Sequence, residues 1–359
     1  MKKYLILAAA ALVASAACAK IERTDDQTAI TFNVANYVQL TKANTEFSKT
    51  ATFGTFAWWT PTDWATNGQT NIFMDNQEVA YNSTDNVWAP TIPYFWTKTG
   101  KITFASYAPY TAAAGNNGFV NLPVHSVADG FTFTDYTIVN STDVDLMYAD
   151  LIADQTKNTN PATYNAVSGV AEGVPTLFHH ALGQIQVKAY ATKLEDANAT
   201  WTITLEDITI GAIYNKGTLT LTNDDPSTDA TPKAWTGSWV TDTSVDGSLT
   251  PANTPVTADA KASAVTVLAN QSVLPQDVSA ASINFKVRIV TTYKTGGQTN
   301  TELINKSVPF GTGGFETPNW AMNTKYSYYI KIDPATNEVL FDPAVAEEWI
   351  VAADAEYEY

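Results

Sequence analysis

Cysteine is almost absent from this sequence, which has one, Cys18, among its 359 residues. A single thiol cannot form a disulfide within the chain, so the folded protein has to be stabilised by burial of a core. A chain of this length can bury enough surface to fold without cross-links. The position of Cys18, near the end of the segment AALVASAACAK (residues 10–20), therefore needs a different explanation.

Histidine is also scarce. Of the three histidines, His179 and His180 are adjacent and would point to opposite faces of a strand, while His125 lies far upstream. This spacing does not match a metal site, so we predict structural roles for the histidines and no metal. The motifs GxSxG, HExxH and GxxxxGKS/T are absent as well. We therefore predict no catalytic residues, no cofactor and no enzymatic activity.

Positive charge is limited: 20 basic residues stand against 36 acidic ones, and the formal net charge is −16. Such a surface repels nucleic acid and anionic lipid headgroups, so we predict no nucleic-acid partner. Charged residues make up 16% of the chain and aromatic residues 12%. This composition favours strands and polar loops over surface helices.

An apolar run stands at the N-terminus, where Lys2 and Lys3 precede a segment from Tyr4 to Ala17. A basic start, an apolar stretch and a small-residue end are typical of a secretory signal peptide. As a helix, 14 residues would span about 21 Å, which is shorter than the roughly 30 Å hydrocarbon core of a bilayer. The pattern therefore predicts an export signal.

Small residues directly before Cys18 are typical of a lipobox, in which the cysteine receives a diacylglycerol thioether and becomes the new N-terminus. Ser15 stands where such motifs usually have Leu. A lipoprotein signal and an ordinary signal cut near Ala17 both stay open, and both export the chain. We predict a lipoprotein signal peptide over residues 1–18, with Cys18 as the lipidation site, and a linker over residues 19–27.

Alternation with a period of two dominates the rest of the chain. Ile30, Phe32 and Val34 alternate with polar residues, and WTITLEDITI (201–210) and SINFKVRIVTTY (282–293) show the same pattern. This is the pattern of half-buried strands. We therefore predict an all-β fold, most simply built from β-sandwiches.

Length favours two domains. The segment NAVSGVAEGVP (165–175) is rich in glycine and precedes a strong new strand. We place the boundary there, with an N-terminal domain over residues 28–170 and a C-terminal domain over residues 174–359.

Two clusters invite a functional interpretation. Asp143, Asp145 and Asp150 lie close together in sequence, but the segment lacks the glycine and terminal glutamate of a calcium loop. Five tryptophans fall in one short region, and they pack in a core or stack on a sugar ring if exposed. These tryptophans are Trp58, Trp59, Trp64, Trp88 and Trp96.

Several motifs follow one another along the chain: AITFNV, TKA, FGTFAWWT, DLMYAD, VPTLFHHALGQIQVKAY, VLPQ and NWAMNTKYSYYIKIDPATNEVLFDPAVAEEW. In this order they resemble the Bacteroidetes fimbrillin family. The resemblance implies two tandem transthyretin-like β-sandwich domains. It also implies a structural pilin of type V fimbriae, which reaches the outer membrane through its lipid anchor and then joins other fimbrial subunits on the cell surface.

The same resemblance implies processing by a trypsin-like protease that removes the first strand. The cut maps onto Lys42 in QLTKAN, where the family more often has arginine, and Arg23 lies too early to release the strand. The removed strand would carry Ile30, Phe32 and Val34. A neighbouring subunit would then donate a strand to the open groove.

The C-terminal tail, EEWIVAADAEYEY (347–359), has one apolar and aromatic face and one face that turns acidic after Ala352. Two alternatives stay open: the last edge strand of the second domain, or the donor strand that the resemblance implies. The apolar face carries Trp349, Val351, Ala353, Ala355, Tyr357 and Tyr359.

A second functional class stays open beside the pilin. A surface glycan-binding lipoprotein or tip adhesin would use the tryptophan-rich N-terminal region to bind host glycans or proteins. An exposed indole ring is the feature that this alternative requires.

Overall fold

The structure, a computed structural model, describes residues 28–36, 45–64, 71–126, 130–138, 144–158, 173–222 and 235–349. Within these residues the chain forms 21 β-strands and one short 3-10 helix, Lys261–Ser263. The all-β fold predicted from composition and alternation is confirmed.

Seven strands close into a ring, which we call the barrel. They are β1 (Phe32–Asn36), β3 (Thr52–Thr60), β4 (Ile72–Asn82), β5 (Val87–Pro90), β6 (Lys101–Ala108), β9 (Met147–Ala149) and β11 (Val174–His180). Their order is β6-β3-β4-β5-β1-β11-β9, and β9 pairs back with β6. Two short strands, β2 (Thr45–Glu46) and β10 (Ile152–Gln155), attach to β1 and β6. Closure removes the exposed sheet edges that an open sheet would have.

A four-stranded sheet, which we call the joining sheet, combines segments that are far apart in sequence. Its strands are β7 (Val124–Ser126), β8 (Gly130–Thr137), β14 (Lys216–Thr222) and β15 (Thr236–Thr241), in the order β15-β14-β8-β7. Phe133 of β8 pairs with Leu219 of β14. Both residues pack in one core with Trp58 and Tyr107 of the barrel. This sheet therefore covers one side of the barrel.

Two more four-stranded sheets face each other around a second large core, and we call them the sandwich. One contains β12 (Gly183–Ala191), β17 (Val265–Val273), β20 (Thr324–Asp333) and β21 (Glu338–Glu348). The other contains β13 (Ala199–Gly211), β16 (Thr254–Val256), β18 (Ser282–Tyr293) and β19 (Thr299–Pro309). Their shared core includes Ile185 and Tyr328 from the first sheet and Leu205 and Ile289 from the second.

Strand alternation explains the burial of these residues. In β13, a β-bulge interrupts the alternation at one place. In β13, Trp201, Ile203 and Leu205 are buried, and then the buried positions shift to Ile208 and Ile210. The register with β18 shifts at the same place, between Glu206 and Thr209. An extra residue in one strand reverses the faces that follow it. The two segments predicted as strands are thus confirmed as β13 and β18.

Strand pairing crosses the boundary predicted near residues 170–174. β11 begins at Val174 and pairs with β1 and β9 of the barrel. β14 pairs with β8. The division into two domains and their transthyretin-like character stay predictions, while closure of the first sheet is a feature that the alternation did not indicate.

Candidate functional site

The first strand, β1, is held by backbone pairing on both sides. It runs parallel to β11, from Phe32 opposite Val174 to Asn36 opposite Phe178. On its other side Phe32 pairs with Trp88 of β5. The N–H of Ile30 extends the pairing by donating to the carbonyl of Tyr94 at 2.8 Å. β1 is therefore an integral strand of the ring.

Its side chains fill the barrel interior as the alternation predicted. Ile30, Phe32 and Val34 are each 1% exposed and belong to the barrel core. The Phe32 ring meets the rings of Phe53 and Phe104 edge-on, with centroid distances of 5.5 and 5.7 Å. Edge-to-face contacts of this kind add to the free energy gained by burial.

A glycine permits the close approach of the next strand to β1. A Cβ atom on Gly173 would lie 2.8 Å from the carbonyl carbon of Phe32. Any side chain at this position would push the start of β11 away from β1. The seat of β1 is therefore shaped by backbone contact as well as by the apolar row.

Removal of β1 would leave a groove with exposed apolar positions and unpaired backbone groups. Burial of each apolar side chain contributes roughly 1.5 to 3 kcal/mol, so three such positions would be exposed together. The backbone groups of β11 that face β1 would lose their partners, and an unpaired strand edge of this kind binds other extended segments. Removal of β1 would therefore leave a groove with the shape of an extended segment.

Lys42 and Arg23, the two basic residues considered as cut sites, lie outside the described residues, and so does Cys18. β1 ends at Asn36 and β2 begins at Thr45, so Lys42 belongs to the connection between them. A cut there would separate β1 from the rest of the chain. Cleavage at Lys42 and lipidation at Cys18 stay predictions.

Four of the five clustered tryptophans are buried. Trp58 and Trp64 lie in the core between the barrel and the joining sheet, and Trp88 and Trp96 lie in the barrel core. Their exposed fractions are between 4% and 8%. The fifth, Trp59, is half-buried, and its indole N–H donates to the carbonyl of Thr99 at 2.8 Å. Trp58 and Trp59 pack on different cores, as adjacent strand residues should.

Sugar stacking requires an exposed indole ring, and four of the five rings are covered by protein. A cleft of about 270 Å³ borders Trp58, with Ile72, Val124 and His125 among its lining residues. Its volume is below the range of about 300 to 1,000 Å³ that is usual for small-molecule sites. Burial lowers the pKa of the His125 imidazole to about 4, so this residue is neutral at pH 7.

The adjacent histidines have different carboxylate partners, which sequence reasoning did not find. His179 Nε2 lies 2.9 Å from Asp150 Oδ1, and His180 Nδ1 lies 2.5 Å from Asp145 Oδ2. Asp143 lies outside the described residues. In the part of the chain that the structure describes, His, Cys, Asp and Glu form no group of three that could hold a metal ion. The aspartates Asp145 and Asp150 thus orient two histidine rings.

The start of the C-terminal tail is fixed in the chain's own core. Trp349 is 7% exposed, and its ring stacks on the His180 ring at 4.4 Å with an interplanar angle of 7°. Its backbone N–H donates to the carbonyl of Asn323 at 3.0 Å. The edge-strand alternative therefore describes the chain up to Glu348, where β21 ends. The other five residues of the predicted apolar face, Val351, Ala353, Ala355, Tyr357 and Tyr359, lie outside the described residues.

Strand β11 contacts both β1 and Trp349, the first residue after β21. Its residue Phe178 lies opposite Asn36 at the end of β1, and His180, two residues later, holds Trp349. Alternation along each segment could not reveal this proximity, because it arises from pairing between residues far apart in sequence.

No helix among the described residues is long and apolar enough to cross a membrane.

Comparison with known proteins identifies the family. Residues 40–349 match the family model described as fimbrillin-like. A fimbrial protein from Bacteroides vulgatus ATCC 8482 has a similar structure, with a TM-score of 0.58 at 19% identity over 90% of this chain and 99% of that one. A protein from Bacteroides uniformis ATCC 8492, for which a role in cell adhesion has been suggested, aligns over 91% of this chain and 100% of its own at 15% identity, with a TM-score of 0.46. No curated protein matches the sequence significantly.

Proposed function

Because the chain belongs to the fimbrillin-like family, we propose that it is a structural subunit of a surface fimbrium that assembles by exchange of its first strand. The observation that carries this proposal is the seat of β1. A five-residue strand near one end of the chain supplies three fully buried side chains to a closed barrel. One cut after this strand would free it without breaking any other strand.

Assembly then follows from the physical chemistry of the open groove. Once β1 has left, β11 presents unpaired backbone groups beside an apolar row. An extended segment with alternating apolar side chains can restore both the hydrogen bonds and the burial. The segment that joins two subunits in this way comes from a neighbouring copy or from another fimbrial subunit.

The tail after Trp349 is our candidate for the donated segment. Val351, Ala353, Ala355, Tyr357 and Tyr359 alternate with residues that include three acids near the end. Inserted into the groove, such a strand would bury its apolar row. The opposite face of β1 is also covered, with Asn33 and Ala35 at 7% and 0% exposed, so a carboxylate placed there would need a polar partner.

Export and anchoring complete the proposal. The precursor is a lipoprotein that carries its lipid on Cys18, reaches the outer membrane and stays anchored there until it is processed. A cut at Lys42 removes the anchor together with β1, so release from the membrane and opening of the groove occur in one step. The same proposal includes two transthyretin-like domains in each subunit. It places the assembled subunit in a fimbrium on the cell surface.

Substitution at the cleavage residue tests it. The mature chain carrying Lys42→Gln should keep β1 seated after treatment with a trypsin-like protease and should stay monomeric. Lys49→Gln is the matched control, because Lys49 follows β2 and a cut there is not needed to free β1. Denaturant-resistant multimers on gels are the measurement. Multimers of the Lys42→Gln variant at the wild-type level would overturn cleavage at Lys42 as the trigger.

A further inference from the structure

We propose that strand β19 of the sandwich is a docking edge for a second copy of this chain, with the two β19 strands antiparallel and centred on Ile304. Two features support this pairing: β19 has an uncovered edge, and the order of its two charges is self-complementary. Such pairing involves the sandwich and needs neither cleavage at Lys42 nor the groove of β1, so it goes beyond the proposed function.

β19 is the outermost strand of its sheet. It pairs with β18 along its whole length, from Thr299 opposite Thr292 to Pro309 opposite Ser282. In the part of the chain that the structure describes, no strand pairs with its other edge. The first five residues of β19 are all exposed, and Leu303 is 54% exposed. The backbone N–H and C=O groups that point away from β18 can therefore pair with another extended segment.

The two charged side chains of β19 have no charged partner on β18. Glu302 lies opposite Ile289, and Lys306 lies opposite Phe285. The two charges of β18 instead form ion pairs with β13, each with an N–O distance of 2.6 Å: Lys286 with Asp207, and Arg288 with Glu206. A counter-charge directly opposite Glu302 or Lys306 therefore has to come from the outer side of β19.

The order of these charges favours one register for two antiparallel copies. Glu302 and Lys306 lie two residues before and two residues after Ile304. When the two Ile304 residues face each other, each Glu302 faces the Lys306 of the other copy. Opposite charges directly across an antiparallel pair stabilise it. Ile304 is also the midpoint of β19, so Thr299 faces Pro309 and all 11 residues overlap.

The neighbouring registers that keep the same faces aligned lose this charge match. A register centred on Leu303 places Glu302 opposite Ile304, and one centred on Asn305 places Lys306 opposite Ile304. Each brings a charge against an apolar side chain, which costs free energy where water is excluded. The register centred on Ile304 is therefore favoured by charge as well as by overlap.

The Ile304 side chain adds an apolar contact to this pairing. It is half-buried and packs on the sandwich core of its own copy. Residues directly opposite in an antiparallel pair point to the same face, with Cβ atoms about 4.5 to 5.5 Å apart. Pairing would thus bring the two Ile304 side chains into contact and join the two four-stranded sheets into one continuous sheet.

The other long edge strand of the sandwich, β21, is protected against pairing of this kind. β21 also has 11 residues and lies at the edge of its sheet. Its charges are all acidic, so two copies would repel each other, and Pro343 within it lacks the N–H that pairing needs. A lysine alone on an edge also opposes pairing, but in β19 the Glu302 of the second copy would neutralise Lys306. β19 is therefore the better of the two edges for a second copy.

Sedimentation equilibrium of the mature chain tests the pairing. Cys18→Ala removes the predicted lipid site and the one cysteine, and the chain is left uncleaved so that β1 stays in place. A single pair of strand edges buries little surface, so we expect a dimer with a Kd of about 1 to 100 μM. A chain that stays monomeric up to about 1 mM would overturn the proposal.

Charge exchange tests the register on the same background. Glu302→Lys and Lys306→Glu each place like charges opposite each other, so each variant alone should dimerise at least about tenfold more weakly. An equimolar mixture of the two restores both ion pairs and should bind within about threefold of wild type. Glu338→Lys on β21 is the matched control, since it changes the net charge as Glu302→Lys does and should leave dimerisation unchanged. With wild-type unfolding midpoints for both variants, a mixture that binds no better than either alone would overturn the register.

Disulfide cross-linking locates the register independently. In the pair centred on Ile304, Leu303 of one copy faces Asn305 of the other, and both residues are exposed. A mixture of Leu303→Cys and Asn305→Cys chains, each also carrying Cys18→Ala, should therefore oxidise to a mixed dimer at least about tenfold faster than either chain alone. Faster linking of Leu303→Cys with itself, or of Asn305→Cys with itself, would place the centre at that residue and overturn the assignment to Ile304.

Both measurements precede cleavage, so their outcomes are independent of strand exchange. If the uncleaved chain dimerises through β19 but the cleaved chain forms no multimers, the proposed function fails and the β19 pairing stands. If the cleaved chain forms multimers but the uncleaved chain stays monomeric, strand exchange stands and the β19 pairing is wrong.

Discussion

The barrel and the sandwich bury apolar rows of the same kind, yet they retain their strands in different ways. In the sandwich, β13 and β18 are 13 and 12 residues long and lie in the interior of the sequence. In the barrel, β1 has five residues and precedes the other strands that the structure describes. One chain break can therefore release β1, whereas β18 would need two breaks and would carry much more buried surface with it. Length and position in the sequence, and not depth of burial, therefore distinguish β1 from the central strands of the sandwich.

The largest effect on stability is expected from Phe32→Ala, which would weaken the barrel and leave the sandwich intact. The vacated ring contacts with Phe53 and Phe104 should cost about 3 to 5 kcal/mol. Hydrogen exchange measured strand by strand should rise in β1 and β11 but not in β13 and β18. Ile72→Ala, at a barrel position that is 63% exposed, is the control. Equal loosening of both regions would show that they unfold as one unit.

A substitution in the sandwich core should give the opposite pattern. Ile289 is fully buried between the two sheets, and Ile289→Ala should cost about 2 to 5 kcal/mol. Exchange should then increase in β13 and β18 and stay unchanged in β1. Leu303→Ala on the outer face of β19 provides a control with a change below about 0.5 kcal/mol. Faster exchange of β1 in the Ile289→Ala protein would contradict independent retention of the strands.

Acid should lower the free energy of unfolding by an intermediate amount, through protonation of His125 in the joining sheet. Burial lowers the pKa of His125 to about 4, below the value of about 6.5 for a histidine in the unfolded chain. The unfolded state therefore binds more protons than the folded state between these values. The stability contributed by neutral His125 is complete above pH 6.5 and falls as the pH approaches 4.

Denaturant unfolding at pH 7 and pH 4.5 measures this effect by comparing wild type with His125→Gln. The wild-type protein should lose about 2 to 3 kcal/mol more than the variant between the two pH values. Carboxylates titrate in both proteins and cancel in the comparison. Identical pH dependence in the two proteins would show that His125 is charged or solvated in the folded state.

The smallest effect on stability is expected from truncation after Trp349. Deletion of residues 350–359 should change the unfolding midpoint little, and under the proposed strand exchange it should abolish assembly. Truncation after Glu348 also removes the indole that packs on His180, so it should lower the midpoint clearly. Thermal unfolding and multimer formation measured on both truncations separate the contribution of Trp349 to stability from that of residues 350–359 to assembly. A large loss of stability on removal of residues 350–359 alone would assign the tail to its own subunit.

Alternation predicted which residues of a strand are buried but not which strand lies beside it. The two-residue period places Ile30, Phe32 and Val34 on one buried face, and it identifies β13 and β18 as strands. The pairing of β8 with β14 had no local signal, because each strand alternates in the same way whatever its partner. For the same reason Trp349 could be placed on an apolar face but not against His180.

The candidate site could likewise be predicted only where it depends on the local pattern of a strand. The buried row of β1 followed from a period of two, and the resemblance pointed to a removable first strand. The carboxylate partners of His179 and His180 were not predictable, since Asp150 and Asp145 reach them only after β9 and β11 have paired. The burial of Trp58 and Trp64 likewise depends on the joining sheet, which covers one side of the barrel.

The sequence by itself determined the all-β class, the buried faces of strands such as β1, β13 and β18, and the absence of an internal disulfide, because these depend on composition and on the two-residue repeat of an extended chain. The tertiary structure alone decided that the first sheet closes, that β1 lies beside β11, and that β11 also holds Trp349. Those features arise from contacts between residues far apart in sequence, and the free energy of such contacts depends on shape and pairing that no local pattern encodes.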